Sequence, residues 1–265
     1  MATVQFERFF SVDSPKAIKA AKLNYLNAIN YMAPHMSAGV GNLCPHASPG
    51  CIALCLGRES GQASMVSRLT GTNAVRQSRE RKARYFMSDR QAYLREMLLH
   101  IARCARSARR KGMTLAVRPN GSTDIAYEGL RVVVEVDLAR ELSRISGLTV
   151  TVGVHTIFSA YPSVQFIDYT KNPRRFDRAL PSNYHLTFSL SETNCEAAAA
   201  ILARGFNVAV VFAGDRPHDF LGHAVIDGDE HDLRHLDPCG VVVGLTPKGN
   251  KAKRDLSGFV VRNAA

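Results

Sequence analysis

Cys44, Cys51 and Cys55 fall close together at a C-x6-C-x3-C spacing. Thiolates are soft ligands that select zinc, copper(I) or iron-sulfur clusters over hard cations. Pro45, Pro49 and Gly50 let the intervening chain turn so that the sulfurs can converge. Structural zinc sites are usually built from two short cysteine knuckles, and no second pair follows here. Iron-sulfur clusters often take three closely spaced cysteines and a remote fourth ligand, or leave one iron to substrate or water. The spacing therefore predicts a 4Fe-4S cluster on Cys44, Cys51 and Cys55. Cys104, Cys195 and Cys239 are scattered and read as small buried hydrophobes, with Cys195 the best remote fourth ligand. His46, inside the loop, is either a ligand, a donor to one, or an exposed loop histidine.

A second set of polar residues follows apolar, β-branched runs. Arg118 and Asn120 come after Leu115-Ala-Val, Asp168 and Lys171 after Val164-Gln-Phe-Ile, Ser189 and Ser191 after His185-Leu-Thr-Phe, and Asp227 and Asp229 after Val225-Ile. Arg118 and Asn120 suit a carboxylate or phosphate. Asp168 with Lys171, or Asp227 with Asp229, suit general acid and base work. Each Asp or Asn alone reads equally well as a helix cap or turn residue. The serines lack a G-x-S-x-G elbow, so hydrolysis is expected to be metal-assisted rather than serine-based. His231 and His235 are four apart but form no H-E-x-x-H pattern. The acidic run around Gly228 does not follow calcium-loop spacing.

The elements that must position these groups are legible in outline. Ser14-Pro15 opens a helical stripe of Ala17, Ile18, Ala21, Leu23, Leu26 and Ile29 that Pro34 ends. Residues 37–61, rich in Gly, Pro and Ser, form a loop able to wrap around a cofactor. The stretch 72–110 has helical spacing, with a break and a new cap near Ser88-Asp89, and Gly112 stops it. Strands are expected at 114–118, 149–154, 164–169, 185–190, 207–212, 224–226 and 240–245, most of them continuously apolar, as in parallel strands buried on both faces. Helices at 138–146, 156–159, 174–179 and 196–204 fall between them. Alternating β and α units predict an α/β fold, a TIM-like (β/α) barrel of irregular form, as one domain over 1–265 with its cluster loop at 37–61. An open doubly wound sheet is the alternative.

Hydrophobic residues at 46% and charged residues at 22% place the chain among folded globular proteins and exclude a disordered or fibrous one. No apolar run reaches the roughly 20 residues a membrane span needs, and no secretory leader pattern opens the chain, so a cytoplasmic location is expected. Neither G-x-G-x-x-G after a first strand nor a P-loop motif occurs, which removes support for those nucleotide-binding modes. The net charge of +11 favours anionic partners. Much of that excess lies between Arg76 and Lys111, which reads as the solvated face of a helix or as a nucleic-acid footprint.

Longer motifs join these features. Asn42-Leu-Cys-Pro-x3-Pro-Gly-Cys-x3-Cys-Leu is followed by Gly71-Thr-Asn-Ala with Arg79 and Arg81, by 116–124 (Ala-Val-Arg-Pro-Asn-Gly-Ser-Thr-Asp), by Phe166-Ile-Asp-Tyr-Thr-Lys171, and by the runs 184–191, 225–229 and 236–244. Across nearly the whole chain this pattern resembles tailed-bacteriophage proteins of the gene product 88 type. The resemblance implies a barrel-like α/β fold, an iron-sulfur cluster on the cysteine loop and an esterase-like hydrolase activity in the host-cell cytoplasm. The C-x3-C-x2-C pattern of radical S-adenosylmethionine enzymes is not present. Two functions follow as expectations. One is a metal-assisted hydrolase in which an open cluster iron acts as Lewis acid and Arg118 and Lys171 orient a small anionic or ester substrate. The other is a nucleic-acid-associated binding protein with a structural or redox-sensing cluster.

Overall fold

A computed structural model describes residues 5–262. Helix α1 (Pro15–Ala21) starts where Ser14 accepts a hydrogen bond from the Ala17 amide at 3.3 Å and Pro15 takes the first helical position. It does not run on towards Pro34 as the apolar stripe predicts. Asn24 adopts a left-handed turn at φ 59°, and strand β1 (Tyr25–Ile29) follows. The stripe misleads because a strand buried on both faces has no alternation, so Leu26 and Ile29 mimic helical spacing. Ile18 and Leu23, the supposed helical partners, are exposed.

The cysteine loop contains one short helix, α2 (Pro49–Ala53). Helices α3 (Ala74–Ser88) and α4 (Arg90–Arg110) then meet at Asp89, whose carboxylate accepts from the Ala92 amide, where the sequence places a new cap. The remaining elements are β2 (Thr114–Arg118), β3 (Val132–Val134), α5 (Val136–Ser146), β4 (Gly153–His155), α6 (Ile157–Ala160), β5 (Gln165–Thr170), β6 (Tyr184–Ser189), α7 (Cys195–Ala203), β7 (Val208–Val211), β8 (Asp219–Phe220), β9 (His223–Asp227), β10 (Val242–Leu245) and α8 (Gly249–Lys253).

The architecture is mixed α/β with a mostly parallel eight-stranded sheet ordered β1-β2-β5-β6-β7-β10-β9-β8. Only the β8–β9 pair is antiparallel in that sheet. Among the described residues β1 and β8 are its two ends, with no strand pairing between them. The strand expected at 149–154 instead ends as β4, paired antiparallel with β3 in a separate ribbon; Val152 and Val154 are exposed there, so the apolar run does not report core burial. The helix expected at 174–179 is a single 3-10 turn, Pro173–Phe176.

Register fixes which side chains share a face. Leu26, Ala28, Leu115, Val117, Phe166, Phe188, Val208 and Val242 enter the main core with Tyr93, Leu94, Met97, Leu98 and Ile101 of α4. On the other face Ala116 and Ile167 pack with Ala20 of α1 and with Leu233. The C-terminal ends of the central parallel strands therefore open between two covered faces, the place where an α/β sheet presents ligands. No helix among the described residues is long and apolar enough to cross a membrane.

Candidate functional site

A cavity of about 210 Å³ lies at those strand ends. Arg118 ends β2, Thr170 ends β5 with Lys171 following, Ser189 ends β6, Val211 ends β7 and Leu245 ends β10, and all of them line it. Cys44, Cys51 and Cys55 line the same cavity.

The cysteine loop is fastened from outside its own sequence. Ser48 caps α2, and Glu192, in the turn after β6, accepts from Ser48 Oγ and from the Gly50 amide, both at 2.7 Å. Gly50 allows this close approach: a Cβ there would lie 2.6 Å from Ser257 Oγ and 2.9 Å from the Glu192 carboxylate oxygens, so those side chains would have to shift. The 119–124 segment is pressed equally close to β1, since a Cβ on Gly121 would meet the Asn30 carbonyl oxygen at 2.6 Å.

Burial pushes the Cys44 thiol up to about 12 and the Cys55 thiol up to about 11, and raises that of Cys51. Backbone amides work against that rise: the His35 N–H donates to Cys44 Sγ at 3.3 Å, and the Gly57 and Arg58 amides favour the Cys55 thiolate. Lys171 favours the thiolate of Cys51. Half-buried thiols that repel one another, with amide donors turned towards two of them, suit sulfurs that carry negative charge on a soft metal. Among the described residues no three His, Cys, Asp or Glu side chains converge on one point as they would around a single ion.

Arg118 is a wall residue with its charge already answered. Its NH1 donates to Asp232 at 2.9 and 3.2 Å, and its guanidinium lies 4.5 Å from the Tyr169 ring centroid. Lys16 reaches Asp232 at 2.5 Å. Burial alone would raise Asp232, but Arg118 and Lys16 hold it well below the usual carboxylate range. Lys171 differs. Its ammonium donates to Ser189 Oγ at 2.8 Å and to the Leu190 and Ser189 carbonyls at 3.1 and 3.3 Å, and it makes no ion pair with a carboxylate among the described residues. Burial lowers its pKa, against the pull of Cys51, Asp124 and Glu192.

The other expected residues take different places. Asn120 lines the cavity but spends its amide on structure: its backbone N–H and Nδ2 donate to Asp168, each at 2.8 Å, and its Oδ1 accepts from Thr123 and Ile125. Asp168 points to the main-core face, fully buried beneath the loop and outside the cavity wall, where it also accepts from Tyr184 OH at 3.1 Å. Asp227 is outside the wall too, exposed and paired with Arg216 at 2.6 Å, whereas Asp229 is in the wall and paired with Lys248 at 2.6 Å. His46 and Cys195 are not in the lining; Cys195 is exposed at the first position of α7, and Cys104 packs against the core from α4. His235 lies within a 3-10 turn, Arg234–Leu236, and His231 precedes it, so the two do not share a face of one helix.

Sequence reasoning gave no role to Glu192 or Asp124, which pins Lys171 N at 2.9 Å and Arg175 at 3.0 Å. Nor did it foresee the Lys171–Ser189 contact, which arises only because β5 and β6 are neighbours in the sheet. Helix α3 borders an open groove of about 1030 Å³, with Arg8, Arg81, Arg84 and Tyr85 along it.

A family model described as Gene product 88 matches residues 9–263. No curated protein matches the chain, and no solved structure does either.

Proposed function

The chain belongs to the Gene product 88 family, and from that premise we propose that it is an iron-sulfur hydrolase, with a 4Fe-4S cluster on Cys44, Cys51 and Cys55 and a small anionic ester bound beside it. The observation that carries this reading is the shared cavity: three half-buried thiols, two of them facing amide donors, in one wall, and the polar strand-end residues in the other. A cluster with three thiolate ligands would supply an iron free to act as Lewis acid on a carbonyl oxygen. Lys171 would hold the anionic group, because it is the wall cation without a carboxylate partner, while Arg118, Lys16 and Lys248 are already paired. Asn120, fixed by Asp168, keeps the 119–124 segment in position, and Ile52, Leu54 and Phe259 exclude water from the remaining wall. Closing of the sheet into an irregular barrel belongs to the same proposal. Lys16 and Lys19 of α1, beside the end strand β1, reach Asp232 and the Asp229 carbonyl beyond β9, near the sheet's other end. A host cytoplasm, which keeps thiols reduced, suits the cluster.

One contact favours a second reading. Lys171 Nζ lies 2.8 Å from Ser189 Oγ within the cavity, the spacing of a serine nucleophile and its base. Neutral Lys171 would take the hydroxyl proton as Ser189 Oγ attacks the ester carbonyl, the alcohol would leave, and water would release the acid. A panel of small carboxylate esters assayed with anaerobic protein, with metal-stripped protein and with Ser189→Ala separates the two. Turnover lost on stripping and retained in Ser189→Ala supports the cluster reading; the reverse pattern replaces it with the serine reading. No turnover, together with tight nucleic-acid binding that falls steeply with salt, would make the chain a binding protein instead.

A further inference from the structure

The second face of the sheet buries polar groups that the cavity does not use. His185 and Thr187 of β6 are in register with Ile167 and Tyr169 of that face, and the turn Arg234–Leu236 packs against β6. Leu233, just before the turn, is seated on Ala116 and Ile167. Arg234 and Thr187 are both 0% exposed. Yet Nε and NH1 of Arg234, Oγ1 of Thr187, Nε2 of His185 and both ring nitrogens of His235 have no hydrogen-bond partner among the described residues. Each such orphan is costly when left unmet, and folded proteins rarely keep several together.

Charge narrows what could meet them. Lys16, whose side chain is 36% exposed, and the buried Arg118 share Asp232, and among the described residues Arg234 approaches only Asp237, at 3.2 Å and without hydrogen-bond alignment. Among these cations Arg234 is the one that is wholly buried and keeps N–H groups with no acceptor in hydrogen-bond geometry. Burial and Arg234 lower the His185 pKa to about 4, so its imidazole is a neutral group able to offer one N–H. We propose that one small monovalent anion of halide size binds between β6 and the 231–237 turn, with Arg234, Thr187 and His185 as its donors. The site is separate from the cysteines and does not depend on the hydrolase reading.

Thermal unfolding of the full chain at constant ionic strength tests this, with chloride exchanged for gluconate, which is too large to be enclosed. Tm should rise by roughly 3–5 °C for each tenfold increase of chloride above half-saturation. Thr187→Val, close in shape, removes one donor and should weaken that dependence at least severalfold. A crystal grown with bromide should show an anomalous peak within contact of Arg234 and Thr187. Equal Tm in chloride and gluconate overturns the proposal, as does a Thr187→Val variant that is simply more stable in both, the result expected when an unmet hydroxyl is deleted. Undiminished chloride dependence in Thr187→Val would put the ion elsewhere and overturns it as well.

Discussion

Asp168 has three donors around its carboxyl group and no place in the cavity wall, so its protonation bears on stability rather than on a reacting group. Burial pushes its pKa up to about 7, against Arg175, Arg118 and the Asn120 hydrogen bonds. An acid raised in this way keeps its proton in the folded chain after the unfolded chain has lost it. Its contribution is therefore fullest below about pH 4 and is lost as pH rises towards 7. Asp168→Asn should remove that part of the slope in urea unfolding measured from pH 4 to pH 8. It should also cost roughly 1–3 kcal/mol at pH 5, because an amide nitrogen would then face donors from Asn120 and Tyr184. A variant with the same slope as the parent would mean that Asp168 is ionised throughout. The sequence places Asp168 at the right strand end, but side chains alternate between faces, so one position decides between wall and core. Tyr169 falls on the cavity side and Asp168 does not.

At the scale of elements, the cysteine loop depends on a turn far away in sequence. Glu192 after β6 holds the start of α2 through Ser48 and Gly50, and no local pattern announces a partner so remote. Glu192→Ala should speed amide hydrogen exchange across residues 42–58 by at least tenfold, equivalent to about 1.4 kcal/mol of local stability, and leave β2, β5 and β6 protected. Unchanged exchange in 42–58 would show that the loop is held by other contacts. The central strands were legible because they are apolar without alternation, the mark of parallel strands covered on both sides. The same property hid β1, whose Leu26 and Ile29 continue the spacing of α1. The break is carried by Asn24 alone, a residue type that tolerates the left-handed turn without requiring it. Pairing order was not legible at all, and with it went the Lys171–Ser189 contact.

Over the whole molecule, a sheet covered on both faces leaves its strand ends as the place where cysteines, lysines and carboxylates meet one cavity. Arg81 and Arg84 of α3, with Arg8, lie along a different, open groove, so a binding role there and chemistry at the cavity are physically separable. The central claim concerns what the three thiols hold. Protein isolated without oxygen and analysed for iron, zinc and acid-labile sulfide tests it most directly, with Cys51→Ala and Cys104→Ala prepared alongside. The account predicts about four irons and four sulfides per chain, retained in Cys104→Ala and lost in Cys51→Ala. Stoichiometric zinc without sulfide, or equal loss of iron from both variants, would contradict it.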